Sequence, residues 1–151
     1  MARRPRILAV SSGGGHWVEL LRIMRGIDDA DVTYVTVQED YRHEVEGGRF
    51  FVINDATRWN KCAVALMALR LLMIVLRERP DVVITTGAAP GYFALRFGRW
   101  LGARTVWLDS IANAEELSMS GQMAGPFADL WLTQWSHLAR EDGPEYAGAV
   151  L

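Results

Sequence analysis

The 151-residue sequence has a single cysteine, Cys62, so it cannot form an intramolecular disulfide. Cys62 lies within an apolar run, and we therefore expect a buried, unreactive thiol and a reducing compartment. The sequence also lacks an excess of either charge, because 16 Lys and Arg residues oppose 18 Asp and Glu residues for a formal net charge of −2. Such a chain has no bulk attraction for nucleic acid, which is not an expected partner.

No apolar run is long enough to be a secretion signal or a membrane span. The run at residues 7–10 ends in a Ser/Gly loop, which makes it too short for the core of a signal peptide. Between Cys62 and Val75 the only charged residue is Arg70, but the segment is shorter than the ~20 residues that cross a bilayer. We therefore expect a cytoplasmic protein.

The composition is that of one globular domain. With 151 residues, 50% of them hydrophobic, the chain can bury a core without disulfides. Short β-branched runs without clean polar alternation are typical of strands that are covered on both faces. They alternate with helix-like segments, which predicts right-handed βαβ crossovers and an α/β, doubly wound, parallel, Rossmann-like sheet over residues 1–151. The predicted strands are residues 6–10, 32–37, 50–53, 82–85, 105–108 and 130–133, and the predicted helices are residues 16–25, 59–79 and 90–101.

Two glycine-rich segments follow the first and fourth predicted strands, at residues 11–16 and 85–91. Ligands of doubly wound sheets bind beyond the carboxyl ends of the strands, where the strand order reverses. Each segment leads into a helix, whose first N–H groups suit a phosphate or diphosphate. The next strand ends beside them at Asp109 and Ser110. The sequence therefore predicts one anion-binding crevice.

The spacing of the first loop disfavours the common nucleotide motifs. SSGGGH, residues 11–16, lacks the third glycine of G-x-G-x-x-G, although Glu39 and Asp40 follow the second strand as the acidic residue of that motif would. No Lys-Ser/Thr pair follows the glycines, so the loop is not a Walker loop. A dinucleotide-binding domain is the less favoured alternative.

Three motifs carry a resemblance to a known family: SSGGGHWVELLRI, PDVVITTGAAPG and DSIANAEELSMSGQMAGPFADLWLTQWSHL. They are similar to the subunit that forms the N-terminal half of two-component N-acetylglucosaminyltransferases with the GT-B fold. This family includes the membrane-anchoring subunit of the dolichol-linked enzyme of asparagine-linked glycosylation, with bacterial capsule and exopolysaccharide relatives. A more distant resemblance is to the peptidoglycan lipid-intermediate N-acetylglucosaminyltransferase. The resemblance implies the N-terminal half of a GT-B glycosyltransferase.

The resemblance also implies a function and a set of partners. The chain would bind a polyprenyl-diphosphate-linked sugar acceptor at the inner face of the cell membrane, as a peripheral protein. It would form a heterodimer with a separate donor-binding subunit that holds the UDP-sugar. The joint site would transfer N-acetylglucosamine from UDP-N-acetylglucosamine in polysaccharide biosynthesis, without a metal or other cofactor. The alternative is a non-catalytic subunit that recruits and stabilises a partner glycosyltransferase.

His16 and Asp109 are the predicted catalytic residues. A neutral imidazole at a helix start can accept a proton from an acceptor hydroxyl or hold a phosphate oxygen, and Asp109 could be the base or orient it. Either residue could instead cap or pack its loop. The predicted substrate-binding residues are Ser12, Gly13, Gly14, Gly15, Gly87, Ala88, Ser110, Asn113, Ser118, Ser120 and Gly121. By the same resemblance, Gln134 and Trp135 are predicted to lie on the partner or crevice side and are assigned to partner binding.

The remaining aromatic residues and the longest helix have structural interpretations. The segment 59–79 is apolar nearly all round, which predicts burial as a crossover helix. Alternatively, one face could lie in the headgroup layer while its arginines contact anionic lipid. His43 and His137 are predicted to lie at the surface. The tryptophans predicted to be core or helix-packing residues are Trp17, Trp59, Trp100, Trp107 and Trp131.

Overall fold

The computed structural model describes residues 2–150 and contains a seven-stranded sheet in the order β3-β2-β1-β4-β5-β6-β7. All the strand pairs are parallel. Strand β1 pairs with β2 on one side and β4 on the other, so the strand order reverses between β1 and β4, as predicted. The strands are β1 (Arg6–Val10), β2 (Asp31–Thr36), β3 (Arg49–Val52), β4 (Val82–Thr85), β5 (Arg104–Leu108), β6 (Leu130–Thr133) and β7 (Glu145–Tyr146).

Helices cover both faces of this sheet, and the predicted doubly wound fold is confirmed. The α-helices are α1 (Gly15–Met24), α2 (Lys61–Glu78), α3 (Ala88–Trp100) and α4 (Met119–Ala124), with 3₁₀ turns at Glu39–Glu44, Gly125–Phe127 and Ser136–Leu138. The Asn60 side chain caps α2 by accepting from the Ala63 N–H, and Pro80 follows the end of that helix. Each predicted bound lies within two residues of the observed one, but α4 and β7 were not predicted.

Strand β1 shows why the strand sequences lack polar alternation. Its residues Leu8 and Val10 belong to the buried cluster formed with α2 and α3. Its residues Ile7 and Ala9 face the other way and pack with Trp17 of α1. Because successive side chains of a strand point to opposite faces, a strand between two helical layers is apolar at every position.

The amino ends of β1 and β4 are held together away from the crevice. The Asp81 N–H donates to the carbonyl oxygen of Arg6 over 2.8 Å, and the Asp81 carboxylate accepts from the Arg6 N–H over 2.8 Å. The Arg6 N–H, with the Arg3 guanidinium beside it, holds the pKa of Asp81 below its usual value. These hydrogen bonds hold β1 and β4 together at their amino ends. The glycine-rich loops follow the two strands at their carboxyl ends.

Helix α2 differs from its prediction, because it buries only one face. Met67 and Leu71 are fully buried, whereas Cys62 is exposed, so the prediction of a buried thiol was wrong. Cys62 lies on the face of the helix opposite to Leu71, away from the sheet. None of the helices within residues 2–150 is long and apolar enough to span a bilayer.

The tryptophan predictions are confirmed for two residues and wrong for two. Trp17 and Trp107 are buried, and Trp131 is half-buried against the cluster that contains Trp107. Trp59 is 81% exposed and Trp100 is 68% exposed. Trp59 precedes the first turn of α2, and Trp100 is the last residue of α3. Both tryptophans therefore lie at a helix end. His43 and His137 are exposed, as predicted.

Candidate functional site

The loops that follow β1 and β4 are joined by two hydrogen bonds between His16 and Thr86. The His16 Nδ1 atom lies 2.9 Å from the carbonyl oxygen of Thr86. In return, the Thr86 hydroxyl donates to the carbonyl oxygen of His16 over 2.6 Å. Thr86 is buried and was not predicted to be a site residue, although it lies between the end of β4 and Gly87. The structure therefore brings the two glycine-rich segments into direct contact.

The Thr86 contact fixes which nitrogen of His16 carries the proton. A carbonyl oxygen can only accept a hydrogen bond, so Nδ1 must be the donor. In the neutral ring Nε2 is then unprotonated and can accept a proton. His16 is half-buried, so the residue is not enclosed by the protein. An imidazole with one anchored N–H and one basic nitrogen is the arrangement that general-base catalysis requires.

Gly87 makes room for the His16 ring at the start of α3. A Cβ atom at this position would lie 3.1 Å from Cε1 and 3.2 Å from Nδ1 of His16. Gly87 also has a φ of +129°, a conformation that side chains rarely adopt. The next residue, Ala88, has a φ of +62°, which costs a non-glycine residue about 1–2 kcal/mol. Backbone strain thus coincides with the close approach of α3 to His16, as is common at functional sites.

The first glycine loop is held in place by the segment that follows β2. The Gly14 N–H donates to the Tyr41 hydroxyl over 3.0 Å, and Tyr41 stacks on Trp17 with the ring centroids 5.0 Å apart. A Cβ atom on Gly13 would lie 2.7 Å from the side-chain nitrogen of Gln38, so this glycine permits close packing. Neither α1 nor α3 has a side-chain hydrogen bond at its N-cap. Helix N-termini without such caps are suited to an anion.

Asp109 lies at the end of β5, is 1% exposed and accepts four hydrogen bonds. Its Oδ1 accepts from the Trp107 indole N–H over 3.1 Å and from the Ser118 hydroxyl over 2.6 Å. Its Oδ2 accepts from the Ser118 backbone N–H over 2.9 Å and from the Asn113 amide over 3.3 Å. These donors occupy the acceptor sites of the carboxylate and fold the segment 109–118 around it. A catalytic role of Asp109 stays a prediction.

Glu19 is the main site residue that the sequence did not reveal. It is 4% exposed on α1, and its Oε1 accepts from the Ile111 N–H over 2.8 Å and from the Gln134 amide over 2.9 Å. The Ser110 hydroxyl donates to the same oxygen over 3.4 Å. Glu19 lies three residues after His16, and a carboxylate among the apolar positions of an amphipathic helix is the signal that could have identified it.

The second carboxylate oxygen of Glu19 is buried and has no hydrogen-bond partner within residues 2–150. Burying an unpaired polar atom costs about 1–3 kcal/mol. The other oxygen, Oε1, connects α1 to the segment after β5 and to the end of β6.

The other predicted binding residues lie along these loops. Ser12 and Gly13 are half-buried, and Gly14 and Gly15 are exposed at the start of α1. Ser118 caps α4, because its hydroxyl accepts from the Gly121 N–H over 2.9 Å. Ser120 is half-buried within α4. Among residues 2–150, no group of three or more His, Cys, Asp or Glu side chains is arranged to hold a metal ion.

Gln134 and Trp135 support the crevice segment from the end of β6. The buried Gln134 amide donates to Glu19 and, over 3.1 Å, to the carbonyl oxygen of Asp109. The Trp135 indole N–H donates to the carbonyl oxygen of Ile111 over 2.7 Å. Trp135 is half-buried, so part of its ring is accessible. Partner binding by these two residues stays a prediction.

Solved structures share the fold at low sequence identity. They include MurG of Acinetobacter baumannii, which matches with a TM-score of 0.77 and 10% identity, over 95% of this chain and 45% of that chain. The UDP-N-acetylglucosamine 2-epimerase of Rickettsia bellii matches with a TM-score of 0.68 and 11% identity, over 89% of this chain and 40% of that chain. The chain thus spans less than half of either structure.

Sequence comparison identifies relatives with higher sequence identity than these structures have. The family model "Oligosaccharide biosynthesis protein Alg14 like" matches residues 52–150. The UDP-N-acetylglucosamine transferase subunit ALG14 of Eremothecium gossypii is 30% identical over 169 residues, which cover 90% of this chain and 75% of that protein. The subunit of the same name from Yarrowia lipolytica is 26% identical over 155 residues, which cover 97% of this chain and 68% of that protein. The chain therefore belongs to the Alg14-like family of oligosaccharide biosynthesis proteins.

Proposed function

We propose that this chain is the acceptor-binding subunit of a two-component glycosyltransferase. The assembled enzyme transfers N-acetylglucosamine from UDP-N-acetylglucosamine to a polyprenyl-diphosphate-linked acceptor. The observation that carries the proposal is the anchored His16 ring at the switch point of the sheet, beside two uncapped helix N-termini. The names of the curated relatives, which are UDP-N-acetylglucosamine transferase subunits, support the same donor.

The proposed reaction is an inverting displacement in which His16 is the general base. Nε2 takes the proton from the acceptor hydroxyl as that oxygen attacks the anomeric carbon, the bond to UDP breaks, and UDP leaves with the bonding electrons. The imidazolium that forms keeps its Nδ1–H bond to the Thr86 carbonyl, whose dipole stabilises the new charge. The first N–H groups of α1 and α3 bind the acceptor diphosphate. The UDP-sugar is held by the partner subunit.

Reconstitution tests this function directly. The tagged chain is purified with its partner subunit, and transfer is measured from radiolabelled UDP-N-acetylglucosamine to polyprenyl-linked sugars extracted from the source cells. We expect labelled lipid only when both subunits are present, since neither is proposed to hold both substrates. Transfer by the partner alone at the rate of the complex would contradict the proposal.

We further propose that the enzyme meets its lipid substrate through the exposed face of α2. Large apolar side chains recur there with helical spacing, namely Leu66, Leu69, Met73 and Leu76, and all are exposed. Trp59 extends this apolar stripe before the helix begins. Arg70 and Arg77 lie beside the stripe and line an apolar hollow of about 330 Å³ with Met73. An apolar helix face bordered by arginines is typical of proteins that bind anionic lipid surfaces.

Replacing Leu69 and Met73 with glutamate should weaken binding to anionic vesicles by roughly a hundredfold or more, because two apolar side chains are lost and two like charges face the lipid. Sedimentation with phosphatidylglycerol vesicles measures the effect. The control is Val18→Glu, an exposed apolar residue on α1, across the sheet from α2, which should leave binding unchanged. Equal binding by the double variant and the wild type would remove α2 as the contact face.

A further inference from the structure

A second hollow, of about 300 Å³, lies between the beginning of α2, the first turns of α3, and α4. Its walls are mainly apolar and include Val64 of α2, Tyr92 and Phe93 of α3, and Met123 of α4. It does not include His16 or Thr86, but Ser120, one of the predicted substrate-binding residues, lines it. A hollow with this volume and lining can hold part of an apolar chain.

The α4 side of the hollow is formed by Ser120 and two exposed methionines. Met119 is 60% exposed and Met123 is 51% exposed, and both line the hollow. Methionine is flexible and polarisable, and it adapts to irregular apolar ligands. Two methionines that remain open to solvent beside a hollow are therefore better explained by an apolar occupant than by packing of this chain alone.

The positive charges of the hollow come from the beginning of α2. Arg58 and Lys61 line it, and Lys61 is the only lysine in the sequence. The opposite wall is formed by Met119, Ser120 and Met123 of α4, none of which is charged. Within residues 2–150, neither Arg58 nor Lys61 forms an ion pair. The hollow thus combines an apolar wall with two cations at one side, which matches the charge pattern of an apolar chain that ends in phosphate.

The hollow lies between the proposed membrane face and the crevice. On one side Arg58 stacks over Trp59, where the exposed stripe of α2 begins, with 4.6 Å from the guanidinium carbon to the ring centroid. On the other side the hollow reaches Ala89, in the first turn of α3, two residues from the Gly87 that packs on His16. A lipid chain that leaves the bilayer near Trp59 would pass through the hollow before its head group reached the crevice.

We propose that this hollow binds the isoprene units next to the diphosphate of the polyprenyl-diphosphate acceptor. Arg58 and Lys61 pair with the diphosphate, with the first N–H groups of α3 beside it, and the attached sugar then extends to His16. The assignment rests on the proposed function, since it concerns the acceptor of that reaction. It adds the place of the lipid chain and the cations that hold its head group.

Lys61 provides a direct measurement, because acetylation at the only lysine can be followed by mass spectrometry. The purified full chain is treated with an acetylating reagent in detergent, with farnesyl diphosphate, inorganic diphosphate or farnesol as the probe. We expect farnesyl diphosphate to protect Lys61 at a concentration roughly tenfold lower than inorganic diphosphate does, since the apolar chain adds binding energy. Farnesol, which lacks the anion, should protect weakly.

The double variant M119Q/M123Q tests the contribution of the isoprene units to binding separately from that of the diphosphate. It should raise the concentration of farnesyl diphosphate needed for protection by roughly tenfold and leave protection by inorganic diphosphate unchanged. The matched control is L101Q/L130Q, which changes two exposed apolar residues that lie outside both the hollow and the exposed stripe of α2, and Lys61 should be protected in it as in the wild type. Circular dichroism checks that each variant is folded.

Two results would overturn this assignment: no protection of Lys61 by farnesyl diphosphate, or equal protection in M119Q/M123Q and wild type. The transfer assay of the two-subunit complex is run in parallel to keep the two proposals apart. Transfer without protection of Lys61 contradicts the proposal that the hollow binds the acceptor lipid and is consistent with the glycosyltransferase function. Protection without transfer contradicts that function and supports the hollow as a site for prenyl diphosphates.

Discussion

Replacing His16 with asparagine in the assembled two-subunit enzyme is expected to lower kcat by about 10²–10⁴-fold, the usual contribution of a general base. The asparagine amide can still donate to the Thr86 carbonyl, so the contact between the two loops can persist. It has no basic nitrogen in place of Nε2, and the acceptor hydroxyl would then lose its proton acceptor. Steady-state transfer of labelled N-acetylglucosamine measures the loss.

His43→Asn is the matched control, because His43 is exposed in the segment after β2 and has no place in the proposed mechanism. Both variants should co-purify with the partner subunit in the same amount as the wild type. Full turnover by His16→Asn in an intact complex would leave only the alternative, a subunit that recruits and stabilises its partner without contributing a catalytic group.

Replacing Asp109 with alanine is expected to lower the free energy of unfolding by about 3 kcal/mol. The change removes the acceptor of four hydrogen bonds and leaves the buried Trp107 indole and the Ser118 donors without partners. Urea denaturation of the purified chain measures the loss. Transfer should also fall, because the segment that joins β5 to α4 would lose the hydrogen bonds that fold it around this carboxylate.

The pH dependence of kcat distinguishes this positioning role from catalysis by Asp109. Asp109→Asn keeps the size of the side chain and one acceptor oxygen, so we expect a partial loss of kcat with the shape of the pH profile preserved. A variant of native stability that has lost transfer entirely, or one whose pH profile loses a limb, would instead make Asp109 the base. Asp129→Asn is the control, since Asp129 interacts at the opposite, amino-terminal end of β5.

The sheet could be predicted from the sequence because its inner strands are apolar on both faces, as Leu8 and Ala9 of β1 illustrate. The same reasoning missed β7, since Glu145 and Tyr146 are both exposed and carry no apolar pattern. It also missed α4, a six-residue helix interrupted in sequence by Gly121 and followed by Gly125. A helix this short has too few apolar positions to show a period.

The position of the candidate site could be predicted from the sequence, but the hydrogen bonds that join its parts could not. Strand order alone indicated that the loops at Gly14 and Gly87 meet, and the structure brings them together through His16. The Glu19 network was not predictable, because a buried carboxylate depends on donors that come from distant parts of the chain. The exposure of Trp59 was missed for a related reason: a helix that is apolar all round does not reveal which face the sheet covers.

The reciprocal hydrogen bonds of His16 and Thr86 have a consequence for the timing of catalysis. The imidazole is oriented before any substrate arrives, so its loss of rotational freedom occurs when the chain folds and does not weaken substrate binding. Rotating the ring would break the Nδ1–H bond, and the Thr86 hydroxyl separately holds the backbone of His16. In the proposed two-subunit enzyme, we expect any closure to move the donor-binding subunit towards a stationary acceptor site.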